Sequence, residues 1–327
     1  MQKKAIAIHG GAGTILRAEM TAELEAEYRA GLADALRAGW AVLERGGSAL
    51  EAAEAAVASL EDFPLFNAGR GSVFTAEGRN EMDAAIMDGS RLRAGAVAFV
   101  KNVRNPIRLA RAVMERTEHV LLAGDGANQF AAEIGAEMAP DEYFFTQHRW
   151  DQLQEAIAAG KIMLDHAAEP SAAADDLSAN PKSQIQNPKS LGTVGAVACD
   201  GEGRLAAATS TGGMTNKRFG RVGDSALIGA GTYADDICAV SCTGHGEYFI
   251  LAATAYDVSA RMRYGGMPLE SAATASVERL TEIGGEGGLI AVDRHGNIST
   301  PFNSDGMYRA IVSDDTEPEI EIYRAES

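Results

Sequence analysis

The sequence predicts a hairpin that begins at Thr193 and ends at Thr211, so both threonines lie at its open end. In TVGAVACDGEGRLAAATST, turn residues at 200–203 separate two runs of small and β-branched residues, a pattern typical of a β-hairpin. A three-residue loop at 201–203 places Thr193 directly opposite Thr211, with the side chains about 5 Å apart on one face. Cross-strand threonine pairs are also common for packing reasons alone, so the pair by itself leaves a purely structural role open.

Thr193 becomes a candidate nucleophile if the chain is cut immediately before it. A threonine hydroxyl reacts poorly near neutral pH, but an N-terminal threonine carries its own base, an α-amine with a pKa of about 7.7 to 8.0. Gly192 precedes Thr193 and tolerates backbone angles that other residues avoid, which suits a strained peptide bond attacked by the neighbouring hydroxyl. The pattern therefore predicts a cleavage site between Gly192 and Thr193.

The segment before this bond is predicted to be a disordered linker. Residues 167–192 are poor in large apolar side chains and contain the near-duplicate NPKSQIQNPKS, a composition typical of disorder. A long unstructured stretch within a compact fold is expected where it forms a linker or is cut. We therefore expect one domain over 1–327, cut into an α subunit of 1–192 and a β subunit of 193–327.

The rest of the chain predicts strands, mostly linked as hairpins, flanked by pairs of helices. This arrangement indicates an α+β fold with stacked sheets between helical layers. Strands are predicted at residues 4–9, 82–87, 94–100, 192–200, 204–212, 226–231, 237–244, 289–293 and 307–312. Helices are predicted at residues 21–45, 48–60, 105–116, 128–135, 148–160, 247–264 and 269–283.

The composition indicates a globular protein without nucleic-acid or membrane partners. The chain has 327 residues with 46% hydrophobic content, enough for a sizeable core. Its 46 acidic and 29 basic residues give a net charge of −17, which repels phosphate backbones and anionic lipid headgroups. No apolar run in the sequence approaches the roughly 20 residues that a membrane helix needs.

The amino-terminal stretch and the cysteines favour a cytoplasmic location. MQKKAIAIHGGAGT has a short apolar run, which indicates a first strand rather than a secretory signal. Three cysteines, Cys199, Cys238 and Cys242, lack Cys-x-x-Cys spacing; this suits reduced core thiols, although a catalytic cysteine stays open. The glycine loop at 9–14 has neither P-loop nor dinucleotide spacing, so we expect no organic cofactor.

Several longer motifs are spread over nearly the whole chain. They are HGGAGT at 9–14, PLFNAGRGSVF at 64–74, MDAAIMDG at 82–89, GTVGAVA at 192–198, TSTGGMTNKRFGRVGDS at 209–225 and SCTGHGE at 241–247. Together the motifs resemble those of the plant-type L-asparaginases, or isoaspartyl peptidases, which are N-terminal nucleophile hydrolases. The resemblance implies a four-layer αββα sandwich, autoproteolysis at Gly192–Thr193 and assembly of two α and two β subunits. It also implies hydrolysis of L-asparagine and β-aspartyl dipeptides through a β-aspartyl acyl-enzyme.

The resemblance also implies catalytic roles for particular residues, by their position in the motifs. Thr193 is the nucleophile, and Thr211 is the hydroxyl beside it, in agreement with the predicted hairpin. Thr243 and Gly244 form the oxyanion hole, and Gly244 also belongs to the substrate-binding set. Asn67, in FNAG, is similar to the family asparagine near the nucleophile.

The substrate head group is implied to bind at the motif GRVGD. Arg221 would bind the α-carboxylate and Asp224 the α-amine of a small zwitterion, and Gly246 would line the pocket. An exposed Arg–Asp ion pair is the alternative interpretation of these two charges. His245 stands where many relatives carry a threonine, and we favour a solvated loop histidine over a role in leaving-group preference.

The loop from Leu60 to Arg70 resembles the sodium loop of the same family. In that loop the ligands are mainly backbone carbonyl oxygens, so side-chain differences at Phe63 and Arg70 do not remove the prediction. The implied sodium ligands are the carbonyls of Leu60, Glu61, Phe63, Phe66, Ala68 and Arg70. This would be a structural Na⁺ site.

Two other functions stay open alongside the β-aspartyl hydrolase. A glycosylasparaginase-like amidase of the same superfamily is disfavoured by the HGGAG start, by TSTGG at 209–213 and by the lack of a secretory signal. An uncleaved, non-catalytic protein that binds aspartate-like ligands through Arg221 and Asp224 is the alternative from another class. A denaturing gel separates the classes, because a cleaved hydrolase gives two bands and the binding protein gives one.

Overall fold

The computed structural model describes residues 2–13, 15, 17, 20–160 and 192–324. Residues 167–191 of the predicted linker lie outside the described residues. Gly192 is described, and it is buried rather than part of an exposed tail.

Strands and helices follow one another in short runs along the described chain, and most of the predicted elements are present. The strands are β1 (Ala5–Gly13), β2 (Met82–Asp88), β3 (Arg93–Val100), β4 (Leu121–Ala123), β5 (Val194–Cys199), β6 (Leu205–Thr211), β7 (Thr232–Ala234), β8 (Cys238–Gly244), β9 (Gly287–Asp293), β10 (Ile298–Ser299), β11 (Gly306–Ser313) and β12 (Thr316–Tyr323). The helices are α1 (Ala22–Glu44), α2 (Ala49–Asp62), α3 (Pro106–Arg116), α4 (Gly124–Glu133), α5 (Asp141–Phe144), α6 (Gln147–Ala158), α7 (Gly246–Ala252), α8 (Thr254–Gly265) and α9 (Leu269–Glu282). A capping box begins α2, where the Ser48 hydroxyl accepts from the amide of Glu51 and the Glu51 carboxylate accepts from the amide of Ser48.

Two sheets stack face to face between two layers of helices. The large sheet has the strand order β12-β11-β1-β5-β6-β2-β3-β4, and the small sheet has the order β10-β9-β8-β7. Alternate residues of β1 face opposite sides: Ile6 and Ile8 pack with α1 and α2, whereas Ala5 and Ala7 face the small sheet. The outer face of the small sheet packs against α8 and α9. The predicted αββα sandwich is confirmed.

The hairpin of β5 and β6 has the predicted register. Val194 pairs with Ser210, and Cys199 pairs with Leu205 across the loop at 201–203. Both strands lie in the middle of the large sheet, with β1 on one side and β2 on the other. The first residue before β5 and the last residue of β6 therefore meet at the open end of the hairpin.

Two predicted elements are wrong, and tertiary contacts explain both. Residues 226–231 form consecutive turns instead of a strand, because the amides of Leu227 and Gly231 both donate to the carbonyl of Asp224. The helix predicted at 247–264 is broken at Ala253, which has a φ of 47°. The amides that begin α8 donate to carbonyls of residues 229 and 230, so the second helix starts on that turn.

No helix within the described ranges is long and apolar enough to cross a membrane.

Candidate active site

The structure brings the hydroxyls of Thr193 and Thr211 into direct contact. Thr193 Oγ1 donates to Thr211 Oγ1 over 3.0 Å, and the amide of Gly213 donates to the same Thr211 oxygen over 3.0 Å. Because Thr211 Oγ1 accepts from both, its own hydrogen is directed elsewhere. Both side chains are buried, with Thr193 7% exposed and Thr211 2% exposed.

The backbone that follows Thr211 is held from two sides. Asn67 Nδ2 donates to the carbonyl of Gly213 over 2.8 Å, and the Asn67 carbonyl accepts from the amide of Gly212. On the other side, Lys217 Nζ donates to the carbonyl of Gly212 over 2.8 Å. Asn67 is thus near the threonine pair, as predicted, and its side chain joins this backbone to the amide of Val73, which donates to Asn67 Oδ1 over 3.0 Å. Lys217 was missed by the sequence reasoning, although TNK within the 209–225 motif contains it.

Arg221, Asp224 and Gly246 are brought together at one point beside α7. A methyl group on Gly246 would lie 2.8 Å from Asp224 Oδ1 and 2.9 Å from Arg221 Nη2, so the residue at 246 has to be small. The Asp224 carbonyl accepts from the amides of Leu227 and Gly231, which fixes the turn that carries its side chain.

Asp224 is a buried carboxyl with an unused oxygen. It is 3% exposed, and Oδ2 has no hydrogen-bond partner among the described residues. Burial raises the pKa of Asp224 to about 7, against the opposing effect of the nearby Arg221 charge. A buried carboxylate with a free acceptor is suited to bind an ammonium group. The exposed Arg–Asp ion pair considered as the alternative is not compatible with this burial.

Arg221 pairs with a residue that the sequence reasoning missed. Its Nε donates to Glu247 Oε1 over 3.0 Å, and its Nη2 donates to Glu247 Oε2 over 2.9 Å. Burial alone would raise the pKa of Glu247, but the hydrogen bonds and the charge of Arg221 lower it below its ordinary value. The position of Glu247 in the first turn of α7, directly after the glycine motif, is the signal that could have found it.

Thr243 lies at the end of β8 with a hydroxyl hydrogen available. Its Oγ1 accepts from the amide of Ala12 over 3.2 Å, so the hydroxyl can donate to another group. Alternation along β8 places Thr243 on the same face as Ser241, which contacts the His9 ring next to Thr193. Thr243 therefore faces the large sheet, as a role as oxyanion donor to Thr193 requires.

The residues after Thr243 are buried at the start of α7. A side chain on Gly244 would overlap the ring of Phe249. The predicted solvated loop histidine at 245 is wrong, since His245 is 4% exposed, its amide donates to the Glu286 carbonyl, and its ring lies 5.0 Å from that of Tyr248. Burial lowers the pKa of His245 below its ordinary value, which favours the neutral ring.

The predicted sodium loop folds back on the end of α2. The amide of Ala68 donates to the Phe66 carbonyl, and any side chain on Gly69 would overlap the Glu61 carbonyl. The buried Arg149 guanidinium donates to the carbonyls of Leu65 and Gly71, two oxygens outside the predicted ligand set.

A hard cation with oxygen ligands fits this donor chemistry. Of the predicted ligands, Leu60 and Glu61 lie in the last turn of α2, and Phe63, Phe66, Ala68 and Arg70 follow that helix. Within the described ranges no cluster of three or more His, Cys, Asp or Glu side chains could hold a metal ion, so a cation in the loop would depend on the backbone.

Comparisons with known proteins identify the family. The family model described as Asparaginase matches residues 2–322. An isoaspartyl peptidase of Salmonella typhimurium is 51% identical over 326 residues, covering 99% of this chain and 100% of that protein. An isoaspartyl peptidase of Escherichia coli is 49% identical, with 99% and 97% covered. A plant-type L-asparaginase of Pyrococcus horikoshii is 43% identical, with 96% and 97% covered. The chain therefore belongs to the asparaginase family of N-terminal nucleophile hydrolases.

Proposed function

We propose that this protein hydrolyses β-aspartyl amide bonds, in isoaspartyl dipeptides and L-asparagine, with Thr193 as a nucleophile that autoproteolysis releases. The observation that carries this proposal is the 3.0 Å contact between the hydroxyls of Thr193 and Thr211 at the open end of a buried hairpin. Family membership supports the same substrates, since the curated relatives are named isoaspartyl peptidases and plant-type L-asparaginases.

Self-cleavage begins with the Thr193 hydroxyl in the intact chain. Its Oγ attacks the carbonyl carbon of Gly192, the peptide C–N bond breaks, and the nitrogen leaves as the α-amine of Thr193. The product is an ester between Gly192 and Thr193 Oγ. Water opens this ester, which gives a carboxylate on Gly192 and restores the Thr193 hydroxyl beside its own free amine.

Substrate hydrolysis uses the same oxygen a second time. The α-amine of Thr193 accepts the hydroxyl proton while Oγ attacks the β-carbonyl of the substrate. The oxyanion accepts hydrogen bonds from Thr243 and Gly244, and the leaving amine takes the proton from the α-ammonium. Water then hydrolyses the β-aspartyl ester and releases aspartate.

The half-buried Arg221 and the buried Asp224 beside α7 would select the aspartyl head. Arg221 binds the α-carboxylate through charge-assisted hydrogen bonds, and the unused Oδ2 of Asp224 accepts from the α-ammonium. Gly246 leaves space for the substrate backbone between these groups. A β-linked aspartyl group carries both charges on one carbon, which matches their close spacing.

We also propose a structural sodium ion in the loop from Leu60 to Arg70. Carbonyl oxygens of the loop would hold it, and its charge would offset the repulsion between converging carbonyl dipoles. Thermal unfolding in sodium chloride and in choline chloride at equal ionic strength tests this site. A higher melting temperature in sodium supports the ion, and equal melting temperatures would exclude it.

An (αβ)₂ assembly and a cytoplasmic location complete the proposal. Family membership supports the assembly, which sedimentation of the cleaved protein would test. Cys199, Cys238 and Cys242 are buried and free, which suits a reducing compartment. Burial raises the pKa of Cys199 to about 12, so it is a poor nucleophile.

A substrate panel on the purified, cleaved protein tests the function. It contains L-asparagine, several β-aspartyl dipeptides and glycosylated asparagine, with α-aspartyl dipeptides as the matched control. Turnover of β-aspartyl compounds but not α-aspartyl isomers is expected. Turnover confined to glycosylated asparagine would instead identify a glycosylasparaginase-like amidase, and binding without cleavage of chain or substrate would identify a binding protein.

A further inference from the structure

A chain of buried polar side chains runs from the Thr193 carbonyl across both sheets. His9 Nδ1 lies 3.0 Å from the Thr193 carbonyl oxygen, and His9 Nε2 lies 2.9 Å from Ser241 Oγ. Ser241 Oγ lies 2.7 Å from Thr209 Oγ1, which lies 2.6 Å from Thr232 Oγ1. His9, Ser241, Thr209 and Thr232, here termed the buried chain, are completely inaccessible to solvent.

The buried chain ends at a second carbonyl oxygen, close to the head-group site. Thr232 Oγ1 lies 3.0 Å from the carbonyl oxygen of Ser225, and Ser225 directly follows Asp224. The buried chain therefore connects Thr193, the predicted nucleophile, with the turn that carries Asp224, the predicted ligand of the substrate ammonium.

Strand pairing places these side chains together. In the large sheet His9 pairs with Gly195, and Gly195 pairs with Thr209. In the small sheet Thr232 pairs with Ser241. A methyl group on Gly195 would overlap both Ser241 Oγ and the His9 ring, so glycine at this position leaves room for the contact between the two sheets.

The His9 side chain makes a hydrogen bond beyond the point where the backbone pairing of β1 with β5 ends. The pairing of β1 with β5 ends at His9 and Gly195, so Thr193 lies beyond the last pair. The Thr193 carbonyl accepts its hydrogen bond from the imidazole instead. Because a carbonyl oxygen cannot donate, His9 must carry a hydrogen on Nδ1 for this bond to exist.

Hydrogen counting sets the direction of the remaining bonds. Five contacts join the two carbonyl oxygens, but three hydroxyls and a neutral imidazole supply four hydrogens. Burial lowers the pKa of His9 to about 3, although its hydrogen bond to the Thr193 carbonyl acts in the opposite direction. The ring is therefore neutral, and with its hydrogen on Nδ1 its Nε2 accepts from Ser241. Ser241 then accepts from Thr209, whose contact with Ser241 at 2.7 Å is shorter than its contact with the Gly231 carbonyl at 3.4 Å. The single hydrogen of Thr232 faces both Thr209 Oγ1 and the Ser225 carbonyl, so one of these two contacts is made without it.

We propose that His9 is a positioning residue for the nucleophile, and that the Ser241 hydroxyl sets the tautomer in which His9 Nδ1 holds the Thr193 carbonyl. This inference rests on the proposed function, in which Thr193 becomes a chain terminus. Once no residue precedes Thr193, its carbonyl is held by His9 and its hydroxyl by Thr211. The two contacts together orient the hydroxyl and the α-amine for reaction.

Two substitutions of His9 separate the roles of its two ring nitrogens. In His9→Asn the amide nitrogen takes the place of Nδ1 and can still donate to the Thr193 carbonyl. In His9→Gln the longer amide reaches toward Ser241 and leaves that carbonyl without its donor. Misplacing a nucleophile by about 1 Å lowers rates on the order of 10²-fold. We expect His9→Gln to lose about that factor in kcat with little change in KM, and His9→Asn to retain at least tenfold more activity than His9→Gln.

The tautomer itself can be measured without any substrate. Two-bond ¹H–¹⁵N spectra of histidine-labelled wild-type protein should show a neutral His9 ring with its hydrogen on Nδ1. The His9 signals are assigned by their loss in His9→Asn. In Ser241→Ala, Nε2 loses its donor, and we expect part of the ring population to move its hydrogen to Nε2. Self-cleavage of each variant, followed on denaturing gels, gives a second readout that needs no substrate.

Matched substitutions of His119 control for the loss of a histidine as such. His119 is exposed, and His119→Asn and His119→Gln should match wild type in cleavage and turnover. Equal activity of His9→Asn and His9→Gln, or a wild-type ring protonated on Nε2, would overturn the proposal. If both His9 variants fail to fold, the spectra of wild type and Ser241→Ala still test the proposal, because they show which ring nitrogen of His9 carries the hydrogen. Wild-type protein could show the predicted His9 tautomer and still hydrolyse no β-aspartyl compound. That result would contradict the proposed function but not the hydrogen bond from His9 Nδ1 to the Thr193 carbonyl.

Discussion

Glu247 holds the guanidinium of Arg221 through two parallel hydrogen bonds, from Nε to Oε1 over 3.0 Å and from Nη2 to Oε2 over 2.9 Å. This bidentate geometry fixes the plane of the guanidinium. The Nη1 atom would lie 2.8 Å from a methyl group on Gly223, so the guanidinium lies against the GRVGD turn that also carries Asp224. The pairing orients Arg221 before any substrate arrives.

Arg221→Ala should raise KM for every β-aspartyl substrate by about 10- to 100-fold, because the α-carboxylate loses a charge-assisted partner. Self-cleavage should continue, since this reaction involves no free carboxylate. Arg218→Ala is the matched control, as Arg218 is exposed three residues earlier. Steady-state kinetics on L-asparagine and one β-aspartyl dipeptide measure the KM of wild type and of both variants. Unchanged KM in Arg221→Ala would remove Arg221 from the site.

Asp224 should make stability and substrate binding respond to pH in opposite directions. Its pKa in the folded protein is raised to about 7 by burial, above the value of about 3.9 expected in the unfolded chain. The protonated carboxyl therefore contributes stability that is fully present below pH 4 and is lost as the pH rises through 7. Over the same interval KM should fall, because the ionised carboxylate binds the substrate ammonium.

Asp224→Asn isolates this effect. Burial also raises the pKa of Glu61 to about 8, and this carboxyl is present in both proteins, so the difference between their unfolding free energies reports Asp224. We expect wild type to lose stability relative to Asp224→Asn between pH 4 and pH 7 in urea titrations. A constant difference across this range would show that Asp224 has an ordinary pKa.

Thr243→Val should lower kcat on the order of 10²- to 10³-fold with little change in KM, as expected when one oxyanion donor is lost. Valine keeps the shape of the side chain but leaves the amide of Ala12 without its acceptor, so melting temperatures must accompany the kinetics. Thr243→Ser keeps the hydroxyl and should retain most of the rate. An effect confined to KM would show that Thr243 binds the ground-state substrate instead.

Local signals predicted the hairpin, and motif positions supplied the other predicted site residues, but the contacts among them come from tertiary packing. The turn at 201–203 and the alternation on either side of it were enough to place Thr193 opposite Thr211. The bond between His9 and Ser241 joins residues from two stacked sheets, 232 positions apart, and no local pattern encodes which sheet faces which. The turns at 226–231 have strand-like composition, but the Asp224 carbonyl draws their amides into turns.

Thr193 must act in both reactions, so substitutions at this residue provide the most direct test. Wild-type protein should mature without a protease into chains 1–192 and 193–327. These should stay associated, because β5 is buried between β1 and β6. Thr193→Ala should remain one folded, inactive chain, because it lacks the oxygen that attacks Gly192. Thr193→Ser keeps a hydroxyl on the same carbon as the Thr193 oxygen that contacts Thr211, and it should cleave.

Mass spectrometry of the smaller chain measures where the cut occurs. An amino terminus at Thr193 is expected, and its appearance should follow first-order kinetics that do not depend on protein concentration, since each molecule cuts itself. Mixing active wild type with Thr193→Ala should leave the variant intact. Cleavage of the variant in that mixture would show that a second molecule makes the cut, and turnover of a β-aspartyl dipeptide by uncleaved Thr193→Ala would place the nucleophile at another residue.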